Sequence, residues 1–222
     1  MLSPRVGLVL SGCGFKDGSE IHESVIAMLA LEEAGAKLEI FAPDLAQTSV
    51  VDHLTSEKLN LSRNILHESA RIARGQIQDL TKAKAEHLDA IVLPGGFGAA
   101  TNLCNFATNG ADMTVNPQLV RLLEKAHELG KPIGAICIAP VILAKVFGRH
   151  GCRITIGQDS ETAHSIEKMG AKHVPCSVQD IVVDEQHKLV STPAYMLGHS
   201  VRDIHQGIRK LADEVVRQVK RH

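Results

Sequence analysis

Residues 132–148 read PIGAICIAPVILAKVFG, an apolar run that changes character in its middle. PIGAIC (132–137) is short and continuously apolar, which fits a strand buried on both faces. From about Ile138 onward the pattern fits a helix, so the strand turns straight into a helix at Cys137. Pro140 and Lys145 interrupt the run, and it is too short to cross a bilayer. A strand feeding directly into a helix is half of a βαβ unit, and the question is whether the chain repeats it.

It does. RVGLVLS (5–11), AKLEIFA (36–42), LDAIVLP (88–94) and IVVD (181–184) are further near-continuous apolar strands. Helical patterns lie between and after them, at 19–36, 117–131, 160–173 and 195–220. The first places Ile21, Val25, Met28 and Leu29 on one stripe and ends at Gly35. The second opens with Pro117 and closes on Gly130, the expected order of start and stop. DIVVDEQHKLVSTP (180–193) reads instead as a hairpin with DEQHK as its turn. Residues 43–61 and 97–115 read as loops. The expectation is a single α/β domain over 1–222: a doubly wound, mostly parallel sheet, helices on both faces, and a small antiparallel addition.

Composition agrees. Of 222 residues, 44% are hydrophobic and only 3% aromatic, with no Trp, so Val, Ile, Leu and Ala must build the core. The net charge of −1 gives no basic face for nucleic acid or an anionic membrane. Five widely spaced cysteines without a CxxC support neither a disulfide framework nor a zinc ribbon. With no signal-peptide pattern in MLSPRVGLVLSG, a reduced, cytoplasmic setting is expected.

In open α/β sheets ligands sit beyond the carboxyl ends of the strands, which directs attention to the residues just after each one. Cys137 is in that position, on a turn resembling a nucleophile elbow, although Ala139 stands where a second glycine would be. A helix N-terminus there would lower the thiol pKa. A buried structural cysteine fits the position as well. PGGFGAA (94–100) could bring Gly95 and Gly96 amides close to a ligand, with the Ile138 amide completing an oxyanion hole. SGCGFKDGSEIHE (11–23) is glycine-rich, but Asp17 occupies the third position of a dinucleotide fingerprint and would repel a pyrophosphate. Glu20 and Glu23 fall in or near the first turn of the following helix. There they stabilise the helix dipole, or one of them, best Glu23, reaches toward Cys137. His22-Glu23 and His127-Glu128 begin like HExxH but lack the second histidine, so no metal site is expected.

Together and in this order, SGCGFKDGSEIHE, PGGFGAA, GAICIAP (134–140) and VVDEQHKLVSTPAYM (182–196) resemble the ElbB family of enhancing-lycopene-biosynthesis proteins, also called glyoxalase ElbB. This family lies in the PfpI-like branch of the class I glutamine amidotransferase-like superfamily. The resemblance covers essentially the whole chain and implies a flavodoxin-like fold, an elbow cysteine at Cys137 and an acidic partner at Glu23. It also implies a homodimer, no metal or organic cofactor, and glutathione-independent conversion of a small aldehyde. The reaction would be glyoxal to glycolate through a cysteine hemithioacetal, with methylglyoxal to lactate as a second candidate. A redox-sensing or regulatory protein of isoprenoid metabolism is the alternative. The chain departs from amidotransferases and peptidases of the superfamily: no His is followed two residues later by Glu, and Ile138 replaces the histidine after the cysteine. TIGQD (155–159) likewise lacks the histidine of the glyoxalase-type deglycases. Amide hydrolysis by a histidine base is therefore not expected.

Overall fold

The computed structural model describes residues 3–220, so the ends of the expected 1–222 domain lie outside the described residues. In chain order the strands are β1 (Arg5–Val9), β2 (Lys37–Ala42), β3 (Val50–Val51), β4 (Lys58–Leu59), β5 (Gln78–Asp79), β6 (Ala90–Leu93), β7 (Ile133–Ile136), β8 (Arg153–Ile154), β9 (Lys172–His173), β10 (Val182–Asp184) and β11 (Leu189–Thr192). The α-helices are α1 (Ile21–Glu33), α2 (Ile65–Ile72), α3 (Phe97–Thr101), α4 (Phe106–Asn109), α5 (Pro117–Glu128), α6 (Pro140–Phe147), α7 (Ser160–Lys168) and α8 (Val201–Val219).

Seven strands form one sheet in the order β10-β11-β7-β6-β1-β2-β5. Every pairing in it is parallel except β10 with β11, the expected hairpin. Leaving aside two-residue β5, the parallel strands run β2-β1-β6-β7-β11, the flavodoxin order, whose switch point lies between β1 and β6. The central strands β6, β7 and β11 are buried throughout their length, as continuous apolar runs require.

Each face carries its own core. Val9, Ile91, Leu93 and Ile133 pack with Leu119, Leu123 and Ile142 of α5 and α6. On the other face, Val6, Leu8, Val92 and Ile136 pack with Ala27 and Leu31 of α1 and with Ile208, Leu211 and Val215 of α8.

Several expectations are corrected. On α1, Ile21, Val25 and Leu29 point outward, and the buried face is Glu23, Ser24, Ile26, Ala27, Ala30 and Leu31. Apolar residues occupy both sides of this helix, and Ile26, Ala27, Ala30 and Leu31 share a core with residues of α8. The C-terminal helix begins at Val201, because Ala194–Met196 makes a 3-10 turn and the Ser200 hydroxyl caps α8 by accepting from the Asp203 amide at 3.2 Å. Helix α7 stops at Lys168, and Lys172–His173 pairs in parallel with Arg153–Ile154. The two stretches read as loops contain β3 and β4, paired antiparallel, and the short helices α3 and α4.

Candidate active site

Cys137 lies between β7 and α6 with φ 62°, left-handed backbone that a non-glycine residue adopts at a cost. The turn is held by its own amide, which donates to the Thr192 carbonyl of neighbouring β11 at 2.9 Å. This is the elbow geometry, and it brings the amides of Gly96 and Ile138 onto the sulfur, where both act to lower the thiol pKa.

Of the two glutamates, Glu20 takes the capping role. Its side chain accepts from the Glu23 amide at 2.7 Å, across the N-terminus of α1. Glu23, on the first turn, is fully buried and hydrogen-bonds to the Cys137 thiol. Its remaining contacts are two backbone donors: the Gly95 amide to Oε2 at 3.0 Å and the Tyr195 amide to Oε1 at 3.1 Å. Residues from the ends of β6, β7 and β11 thus converge with the start of α1.

Gly95 is glycine because of this convergence. A Cβ there would lie 2.6 Å from Glu23 Oε2 and 2.9 Å from Cys137 Sγ, inside the contact between the two side chains. The same geometry corrects the expectation of a Gly95 oxyanion donor, since its N–H is committed to Glu23. Gly96 has φ 93°, and a Cβ on it would strike the backbone at Gly18 and Glu20. The glycine-rich 11–23 segment lies against this turn: Glu20 N–H donates to Gly95 O at 3.0 Å and Gly98 N–H to Gly18 O at 2.9 Å. Gly12 N–H is taken by Ser69 Oγ at 2.8 Å and Gly14 N–H by Ser19 O at 2.9 Å. Gly12 and Gly18 therefore serve close backbone approach, Gly14 leaves room for the His53 ring, and Asp17 turns inward to accept from the Val51 amide at 2.8 Å.

Burial and the Glu20 charge push the Glu23 carboxyl up to about 8, against the pull of the Tyr195 amide, the thiol and the Gly95 amide. Burial, and then the Glu23 charge, push the Cys137 thiol well above its ordinary range. The expected lowering by a helix N-terminus is thus overridden, because the sulfur is desolvated and faces a carboxyl group. Two negative charges are not accommodated side by side here, so loss of the thiol proton is tied to Glu23.

The sequence did not single out two further groups by role. Tyr195, the lone tyrosine, follows β11 through Ala194 at φ 43°, and its hydroxyl meets His22 Nδ1 at 2.9 Å. His22 Nδ1 is also 3.8 Å from Glu20 Oε1. The position of Tyr195 beyond a strand end was the available signal; nothing in EIHE distinguished His22 from a surface residue. Cys137, Glu20 and Tyr195 border a cavity of about 390 Å³, whereas Glu23 lies behind Cys137 with no exposed surface.

The model of the DJ-1/PfpI family matches residues 13–194. The human glutamine amidotransferase-like class 1 domain-containing protein 3, mitochondrial, is 46% identical, over 96% of this chain and 82% of its own length. The zebrafish ES1 protein, mitochondrial, is 32% identical over 96% of this chain and 85% of its own. A crystal structure from Ehrlichia chaffeensis, described as an isoprenoid biosynthesis protein with an amidotransferase-like domain, is 35% identical and superposes with a TM-score of 0.89. It covers 96% of this chain and 99% of its own.

The relatives' mitochondrial names, which a rat ES1 protein homolog at 45% identity shares, overturn the cytoplasmic expectation. That expectation rested on unpaired cysteines and on the lack of a secretory signal pattern, and neither separates the cytoplasm from another reducing compartment. With the family model matching residues 13–194 and a relative 46% identical over 96% of this chain, the chain belongs to the DJ-1/PfpI family.

Proposed function

We propose that this protein is an ElbB-like, glutathione-independent glyoxalase that converts glyoxal to glycolate. The observation carrying this reading is the buried pair of Cys137 and Glu23, hydrogen-bonded to each other beneath two amides and without a histidine base. The Ehrlichia relative's description as an isoprenoid biosynthesis protein supports the finer family placement.

In the proposed sequence the Cys137 sulfur adds to one aldehyde carbon while its proton passes to Glu23. The Gly96 and Ile138 amides hold the negative charge as it moves from sulfur toward the carbonyl oxygen. Glu23 returns that proton to the oxyanion, which completes the hemithioacetal and restores the carboxylate. The carboxylate then takes the proton of the sulfur-bearing carbon and passes it to the second carbonyl oxygen, giving an enediol. Loss of the hydroxyl proton on the sulfur-bearing carbon and protonation of the neighbouring carbon complete the shift, with Glu23 as the shuttle. One carbon is thereby oxidised to a thioester and the other reduced to an alcohol, so no external oxidant is required. Water then cleaves the thioester, giving glycolate and restoring the thiol. Glu23 has no exposed surface, so it exchanges protons with the sulfur and the bound substrate rather than with bulk water.

Purified protein given glyoxal, with a chelator and no glutathione, is expected to form glycolate. Added hydroxylamine is expected to divert part of it to glycolohydroxamate by capturing the thioester. Equal glycolate from Cys137→Ser would overturn the reading. We also infer a homodimer, supported by the apolar residues exposed along α1.

A further inference from the structure

The chain is poor in aromatic residues: five Phe, one Tyr and no Trp. Four of these six, Phe15, Phe97, Phe106 and Tyr195, line the cavity that opens onto Cys137. The other two, Phe41 and Phe147, are each 2% exposed in the core. A concentration of this kind is not needed for folding, since Phe15 and Phe97 remain 47% and 56% exposed at the cavity mouth. Ile138 and Met196 add further apolar lining.

The size is also informative. A cavity of about 150 Å³ suffices for benzene, whereas this one has about 390 Å³. Glyoxal, with two carbons, would leave most of that space and most of the aromatic surface unused. The charged residues on the lining are Glu20 and Asp159, with neither Lys nor Arg among the lining residues, so a carboxylate or phosphate on the substrate would meet repulsion without a counter-ion.

From this placement we infer that the site takes a neutral 2-oxoaldehyde whose substituent is a planar, apolar group of aryl size, seated among Phe15, Phe97, Phe106 and Tyr195. The inference rests on the glyoxalase reading for its chemistry and on the cavity for its specificity. The reaction balances as before: the aldehyde carbon becomes the carboxylate, the adjacent ketone carbon becomes the carbinol, and one water is consumed. Burying a ring in such a site favours the aryl substrate by about tenfold or more.

Two measurements on the full chain test it. In the first, initial rates with phenylglyoxal, glyoxal and glyoxylate give kcat/KM for each. Phenylglyoxal is expected to exceed glyoxal by about tenfold or more, with glyoxylate the poorest. Phe106→Ala and Phe97→Ala are expected to lower the phenylglyoxal-to-glyoxal ratio several-fold. In the second, acetophenone and acetone, which do not require the thiol, are titrated into Cys137→Ser and followed by saturation-transfer NMR. Tighter binding of acetophenone, weakened in Cys137→Ser/Phe106→Ala, supports the site even if neither aldehyde turns over, a result that would sink the glyoxalase reading alone. Equal binding of the two ketones, or a phenylglyoxal-to-glyoxal ratio near one, overturns the aryl site while leaving the glyoxalase reading intact.

Discussion

At Glu23, burial and the charge of Glu20 act in one direction, while the amides of Tyr195 and Gly95 and the Cys137 thiol act in the other. The outcome, a carboxyl raised to about 8, is what a base facing a reluctant thiol requires. Activity should therefore rise with pH to a plateau above about 8, because the ionised carboxylate accepts the proton. Glu20→Gln keeps an oxygen to cap α1 and removes only the charge. Its pH–rate midpoint should accordingly move below that of the wild type; an unchanged or higher midpoint would show that Glu20 does not act on Glu23 through its charge. Cys137 and Glu23 were legible as candidates because both follow strand ends and one falls on a helix's first turn. The state of the thiol was not, since desolvation and a facing carboxyl depend on contacts between residues over a hundred positions apart. Nor was the use of the Gly95 amide, because the choice of partner for an N–H is settled by the packing of α1 against the β6 turn.

Helix α1 illustrates what periodicity can and cannot decide. The sequence shows a stripe of Ile21, Val25, Met28 and Leu29, but not which face the core takes, because Ile26, Ala27, Ala30 and Leu31 form a second apolar face, and that is the buried one. That face packs against the sheet and α8, and Ile21, Val25 and Leu29 are left 42%, 50% and 49% exposed. Such a stripe is costly to leave in water, and a second copy of the chain is the occupant we propose. Light scattering after size exclusion should give twice the chain mass for the wild type and the chain mass for Val25→Glu. A monomeric wild type, or a Val25→Glu that remains dimeric, would refute that assignment. At the same scale, the 11–23 segment shows glycines used for close backbone packing where a nucleotide loop was the competing reading.

For the molecule as a whole, the buried carboxyl makes stability depend on pH. Because the folded-state value of Glu23, about 8, lies above its ordinary 4.5, its contribution is complete below about pH 4.5 and lost as pH rises through about 8. Glutamine does not titrate, so the stability of Glu23→Gln relative to wild type should climb across that window, by up to about 5 kcal/mol. At pH 4.5 the variant should be the weaker by about 1 kcal/mol, since its amide nitrogen opposes one of the two backbone donors. Urea unfolding at pH 4.5 and 8.5 measures the difference; a pH-independent gap would contradict the buried, raised carboxyl. The sheet itself was readable from sequence, because strands buried on both faces leave continuous apolar runs. The two-residue ladders β3–β4 and β8–β9 and short strand β5 leave no such trace, being too brief for any period. The sheet order, which sets the switch point beside Glu23, depends on long-range pairing and emerges only in the fold. The most direct test of the Cys137–Glu23 pair is the initial rate of glycolate formation from carbon-13-labelled glyoxal, followed by NMR between pH 6 and 9.5 without glutathione. Wild type should rise to a plateau above about pH 8, with Cys137→Ser and Glu23→Gln each slower by at least about 100-fold; wild-type rates in either variant would contradict the account.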